Sequence, residues 1–114
     1  MSIETIPHDK TFLHLALQGK FDAFMVSQLE NDFYQKIQEH PGSVLVDLTG
    51  VLFIASMGLR MLVEGAKKIK ERGERMILLK PSPLIEMSLS TAGLDKVLTI
   101  VQEEAIAHQL LTDA

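Results

Sequence analysis

The sequence predicts a single α/β domain: a mixed, mostly parallel β-sheet packed with about four α-helices. Three observations carry this. Short apolar runs of strand length, at residues 44–48, 76–79 and 97–101, alternate with longer segments whose apolar residues recur at helical spacing, which implies parallel crossovers. Two strand-like segments near the start, 3–6 and 13–17, follow one another with only a turn between, which adds an antiparallel pair. Of the 114 residues, 46% are hydrophobic and 23% charged, enough for one ordinary core in one domain over residues 1–114.

Taken in order, residues 3–6 form a short strand, and Pro7, His8, Asp9 and Lys10 supply a turn-like break before Thr11. Leu13, Leu15 and Leu17 then share one face while Phe12, His14, Ala16 and Gln18 take the other, the period of two of a strand paired with the first. Gly19 ends that strand, and Lys20, Phe21 and Asp22 lead into a helix with an apolar stripe of Val26, Leu29, Phe33 and Ile37. The helix stops at His40, because Pro41 restricts the residue before it and Gly42 supplies a turn.

Residues 44–48 read as the central strand, since Asp47 alone breaks their apolar run. The stretch VLVDLTGVLFIASMGLRM reads as this buried strand, a short connection, and a helix whose first turn begins at Ser56. That helix buries Leu59, Leu62, Ala66 and Ile69. It turns Arg60, Glu64, Lys67, Lys68 and Glu71 to water, with Arg60–Glu64 and Glu64–Lys68 spaced for ion pairs. Gly73 closes it, and 76–79 form another buried strand. Ser82 caps the next helix, over 84–92, with Pro83 at its first position. Gly93 takes the left-handed position beyond its end and Leu94 folds back on Leu89. Residues 97–101 make the last strand, and Glu103 and Glu104 open a final helix that buries Ile106 and Leu110.

Composition removes several function classes. A net charge of -4 gives no electrostatic reason to expect nucleic acid or an anionic membrane surface. The basic run Lys67, Lys68, Lys70 and Arg72 is interrupted by Glu71 and reads as a solvated helix end. Without cysteine there is no disulfide, thiolate zinc site or cysteine nucleophile, and His8, His14, His40 and His108 lack ligand spacing. No metal or cofactor is expected. No stretch approaches the roughly 20 apolar residues of a membrane helix, and MSIETIPHDK lacks the regions of a signal peptide. The expectation is a cytoplasmic protein with no direct membrane insertion.

A hydroxyl at Ser56, where strand becomes helix, is either a plain N-cap or the point at which the protein is chemically addressed. Ser56 and Gly58 imitate half of a nucleophile elbow, and Asp95 and His108 follow in the order of a hydrolase triad. Against that reading, Ile54 fills the place of the first elbow glycine, no oxyanion loop is evident, and the chain is short for such folds. The expectation is that the chain is not an enzyme. Asp47 is read as structural, accepting bonds from the loop or helix start that follows it. Gly58 permits close packing of helix on strand, and Met61 and Val63 are read as exposed apolar anchors for a partner.

The segment VLVDLTGVLFIASMGLRMLVEGAKKIKERG, followed by MILLK and by a helix ending in STAGLDKVLTI, resembles the STAS domain, a family of sulphate transporter cytoplasmic domains and bacterial anti-sigma factor antagonists. GKFD is similar to a Gly-x-x-Asp that follows an early strand there. The resemblance implies a partner-switching regulator. An anti-sigma factor that is also a serine-protein kinase binds it while Ser56 is free and releases it once Ser56 is phosphorylated, with a phosphatase as a further partner. In the family's Asp-Ser-Ser-Gly, Ala55 stands at the Asp, Ser56 at the phosphoacceptor, Met57 at the second Ser and Gly58 at the Gly. The implied partner-binding residues are Ala55, Ser56, Met57, Gly58, Leu59, Arg60 and Met61. The alternative within the family is a module without phosphorylation, serving as a scaffold or as a cytoplasmic subunit of a transporter.

Overall fold

Period-two and helical segments assemble into one five-stranded sheet in the order β1-β2-β3-β4-β5. The computed structural model describes residues 2–7 and 11–112, so His8, Asp9 and Lys10 of the expected turn lie outside the described residues. Strand β1 (Ser2–Thr5) pairs antiparallel with β2 (Leu13–Phe21). Strands β3 (Val44–Ile54), β4 (Met76–Leu79) and β5 (Thr99–Val101) then add in parallel. The crossovers are helices α1 (Ala23–Glu39), α2 (Ser56–Glu71) and α3 (Pro83–Thr91), and α4 (Glu104–Thr112) follows β5.

Alternation along the strands divides the apolar residues between two faces. On one face Leu15, Leu17, Val44, Val46, Leu48 and Leu78 meet Val26, Phe33 and Ile37 of α1, Met61, Leu62 and Ile69 of α2, and Ile85 and Leu89 of α3. On the other, Phe12, Leu45, Ile77 and Leu79 meet Ala107, Leu110 and Leu111 of α4, the one helix in that cluster among the described residues. Each such side chain contributes roughly 1.5–3 kcal/mol when fully buried, so the three-helix face carries most of the stabilisation.

Caps and turns formed where the residue types dictate. Asp22 accepts from the Met25 N–H at 2.9 Å and starts α1, Ser82 with Pro83 starts α3, and Gly73 and Gly93 take positive φ behind α2 and α3. The Gly93 N–H bonds Ser90 O at 2.9 Å, as in a Schellman turn, and Leu94 packs on the main core.

Six expectations are corrected. Gly19 does not end β2: at φ 107 it carries the strand on to Phe21 through an irregular register with β3, because glycine alone tolerates that backbone inside a bulged strand. Likewise β3 runs unbroken through Thr49 and Gly50 to Ile54, so the expected connection shrinks to Ala55. The last strand begins at Thr99 rather than 97, because the N–H groups of Val97 and Leu98 both turn back to Leu94 O. Helix α4 buries Ala107 and Leu111, one residue on from the expected Ile106 and Leu110; the small Ala107 lets it approach the sheet. In α2, Met61 and Gly65 are buried while Leu59 and Ala66 are only half-buried, since a Cβ on Gly65 would meet Phe33 Cε2 at 2.8 Å and α1 therefore packs over it. Glu64 pairs with Lys67 at 3.7 Å, three residues away, rather than with a residue four away.

Candidate functional site

Strands β2 and β3 end together, Phe21 beside Ile54, and the Ala55 N–H closes the pair by donating to Phe21 O at 2.9 Å. Ala55, extended at φ -89 and ψ 174, is the N-cap of α2, and its carbonyl accepts from the N–H groups of Gly58 at 2.9 Å and Leu59 at 3.0 Å. Ser56 is therefore not the cap that its residue type suggests. It occupies the first helical position, exposed, and among the described residues its hydroxyl makes no hydrogen bond. The N–H groups of Ser56 and Met57, which precede the first helical bond, point out of the same turn.

Glycine at 58 sets this geometry. A Cβ there would lie 2.6 Å from Ile54 Cγ1 and 3.2 Å from Phe21 O, so the first turn of α2 rests directly on the strand ends. Around Ser56 the implied partner residues divide by exposure. Met57 and Arg60 are exposed, Ala55 and Leu59 half-buried, and Gly58 buried. Met61 is 0% exposed. It belongs to the main core and offers no anchor to a partner, and Val63 is half-buried against the same core.

The pole that carries Ser56 also exposes several large apolar side chains. Phe24 in the first turn of α1, Leu52 and Phe53 at the end of β3, Met57, and Leu84 and Met87 at the start of α3 are all exposed, from 41% for Met57 to 68% for Phe24. All belong to segments at the carboxyl ends of parallel strands, so they share one pole. Sequence periodicity missed Leu52 and Phe53, because adjacent strand residues cannot both turn outward unless the strand is irregular, and the irregular register supplies that. Beside the pole, a groove of about 350 Å³ between α1 and α2 is lined by Glu30, Tyr34, Met57, Arg60, Glu64 and Lys68. Burial pushes the Tyr34 phenol up from its usual value, Glu30 and Glu64 add to this, and Arg60 opposes it. Lys68 Nζ lies 5.5 Å from the Tyr34 ring centroid.

Asp47 bonds the residue two along the chain. Its Oδ1 accepts from the Thr49 N–H at 2.9 Å and the Thr49 hydroxyl at 2.6 Å. The hydrolase constellation is not assembled: His108 lies on α4, its ring 5.1 Å from Phe12 and its Nε2 3.5 Å from Glu104, on the sheet face opposite α2. Among the described residues no cluster of three His, Asp or Glu is placed to hold a metal, and no helix is long and apolar enough to cross a membrane.

Known proteins share this fold. The profile of the STAS domain matches residues 2–107. The chain is 28% identical over 100 residues to the anti-sigma-B factor antagonist of Staphylococcus epidermidis, covering 88% of this chain and 92% of that one. It superimposes with a TM-score of 0.87, at 25% identity, on an anti-sigma-factor antagonist (STAS) domain protein from Planctomyces limnophilus, covering 97% and 98% of the two chains. It also superimposes on the Bacillus cell fate determinant SpoIIAA in its phosphorylated form, with a TM-score of 0.70 at 19% identity and coverage of 96% and 99%.

Proposed function

Since this chain belongs to the STAS domain family, we propose that it is an anti-sigma factor antagonist of a partner-switching pathway, binding an anti-sigma factor kinase through the pole around Ser56. The observation that supports this best is the exposed, unbonded Ser56 hydroxyl at the first position of α2, at the same pole as exposed Phe24, Leu52, Phe53 and Met57. On this reading these apolar side chains supply the contact and the hydroxyl supplies the control. The kinase transfers phosphate to Ser56, a phosphatase removes it, and the chain catalyses nothing itself. Its place of work is the cytoplasm, with its partner.

The physics of the switch follows from the first turn. A phosphate on Ser56 adds about -1.5 to -2 charges, and the outward N–H groups of Ser56 and Met57 favour it by roughly 0.3–1 kcal/mol. Arg60, one turn along the same helix face, is within reach of it. The domain tolerates the modification. A partner pressed on this pole must instead desolvate that charge, and a penalty of about 3 kcal/mol weakens binding more than a hundredfold. Ala55 stands where the family pattern has Asp, so that position adds no charge of its own beside the phosphate.

The test is incubation of the purified chain with each anti-sigma factor kinase of the same genome and ATP, followed by peptide mass spectrometry. Phosphate at Ser56 is expected. Binding without phosphate would leave a scaffold in place of a switch, and a Ser56→Asp variant that binds as tightly as wild type would refute the electrostatic mechanism.

A further inference from the structure

Strand β3 has 11 residues, yet β4 covers only its beginning: that ladder runs from Val44 beside Met76 to Asp47 beside Leu79 and stops. Strand β2 stays paired with β3 as far as Ile54. Past Asp47 the β4 side of β3 is an open edge, and among the described residues no other backbone hydrogen bond closes it. The chain turns β4 away by unusual means. Lys80 adopts φ 53, a left-handed conformation rare for a residue with a side chain, and Pro81 has no N–H to offer. Asp47 seals the end of the ladder by accepting the Thr49 N–H. What remains is a bare strand edge over residues 50–54, about 17 Å long, running straight into Ala55 and Ser56.

The geometry points to strand addition: an extended segment of the protein partner pairs with β3 over residues 50–54. The inference rests on the antagonist reading and adds how the partner is held. Outward backbone N–H and C=O groups on a strand edge are matched by another strand, and exposed Leu52 and Phe53 supply apolar side chains for it to cover. Exposed Lys80, at the end of β4, lies on the side of the open edge, so the segment is neutral or acidic with alternate apolar residues. A second copy of this chain is the poorer occupant. Edge-to-edge pairing of two such short ribbons falls well below the roughly 1,200 Å² of a stable interface, whereas a partner seated on the Ser56 pole covers Phe24 and Met57 as well. The added segment would leave the edge at Ala55, which places a phosphate on Ser56 in its path.

Hydrogen–deuterium exchange of the chain, alone and with the anti-sigma factor that binds it in the absence of ATP, tests this directly. Among residues 50–54, the amides that exchange fast in the free chain are expected to slow at least tenfold in the complex. A Leu52→Lys variant, which places a charge on the exposed edge, is expected to keep its unfolding midpoint and bind at least tenfold more weakly, while Val97→Lys, at an exposed site off the pole, binds as wild type. A complex that protects Met57 but leaves the edge amides unchanged would overturn strand addition and spare the antagonist reading. Edge protection that appears in the chain alone as its concentration rises would assign the edge to a second copy. Failure of every anti-sigma factor to bind would remove the occupant and refute both readings.

Discussion

Replacing Gly58 with alanine sets two effects of similar size against each other, and the structure decides between them. In a helix interior alanine is better than glycine by about 1 kcal/mol, so propensity alone predicts a more stable protein. The added Cβ, however, would stand 2.6 Å from Ile54 Cγ1, 3.2 Å from Ile54 Cδ1 and 3.2 Å from Phe21 O. None of these has much room to give. Ile54 is 5% exposed and its branched Cβ holds a preferred rotamer, while Phe21 O is held by the Ala55 N–H. Overpacking of this kind costs about 1–3 kcal/mol, which leaves a net destabilisation of about 1 kcal/mol and a melting temperature lower by roughly 4 °C. Urea and thermal unfolding of Gly58→Ala measure it. In an Ile54→Ala background the nearest atoms are gone, and the same substitution should cost nothing or stabilise. A Gly58→Ala protein more stable than wild type by about 1 kcal/mol would show that Ile54 yields and that close packing does not position Ser56.

Three further outcomes follow from named contacts. Because Ala55 and not Ser56 is the N-cap of α2, Ser56→Ala should change stability by less than about 0.5 kcal/mol, whereas Asp22→Ala, which removes the acceptor for the Met25 N–H, should cost about 1 kcal/mol in urea unfolding. Arg72 donates from Nη1 to Ile37 O at 2.8 Å and from Nη2 to Gly42 O at 2.6 Å, tying α2 to the end of α1; Arg72→Ala should cost about 2 kcal/mol, and Arg72→Lys should recover only part of it, since an ammonium lacks the fork. Tyr34 should titrate above its ordinary value near 10, followed by absorbance of the phenolate, because burial and then Glu30 and Glu64 disfavour the anion. Arg60→Ala should raise it further. Since the folded form holds this proton more tightly than the unfolded one, stability should fall as pH rises from about 10 through the raised pKa.

The fold was legible where residue types act locally. Helix α1, the cap at Ser82, the turns at Gly73 and Gly93 and the buried strand over residues 76–79 are all set by neighbours within a few positions, and all formed as the sequence implies. What the sequence did not reveal depends on contacts between distant segments. The continuation of β2 through Gly19 and of β3 through Gly50 needs each strand as the other's partner, and a glycine in isolation reads as a stop. The inward turn of Met61 follows from Gly58 and Gly65, which draw α2 against Ile54 and against Phe33 of α1. Exposure at Leu52 and Phe53 arises from the same irregular register. Ser56 was identifiable from its place between strand and helix, but its release from capping was not, because that depends on Ala55 taking the extended conformation.

These details bear on why a charge at Ser56 would act on a partner rather than on the domain. The start of α2 is divided within one turn: Ser56 and Met57 face solvent, and Gly58 is pressed on Ile54. Met61, Leu62 and Ile69, all 0% exposed, then anchor the helix. Each of these three contributes roughly 1.5–3 kcal/mol by burial, against about 1 kcal/mol at most between a phosphate and the helix end. The anchorage outweighs the modification several-fold, so the first turn stays where the strand ends hold it. A surface covering Met57, Leu52 and Phe53 has no such margin, because the phosphate would stand inside the area it must dry. The rigidity that Gly58 gives the junction is therefore part of the proposed switch: a mobile first turn could swing the charge aside, and a fixed one cannot.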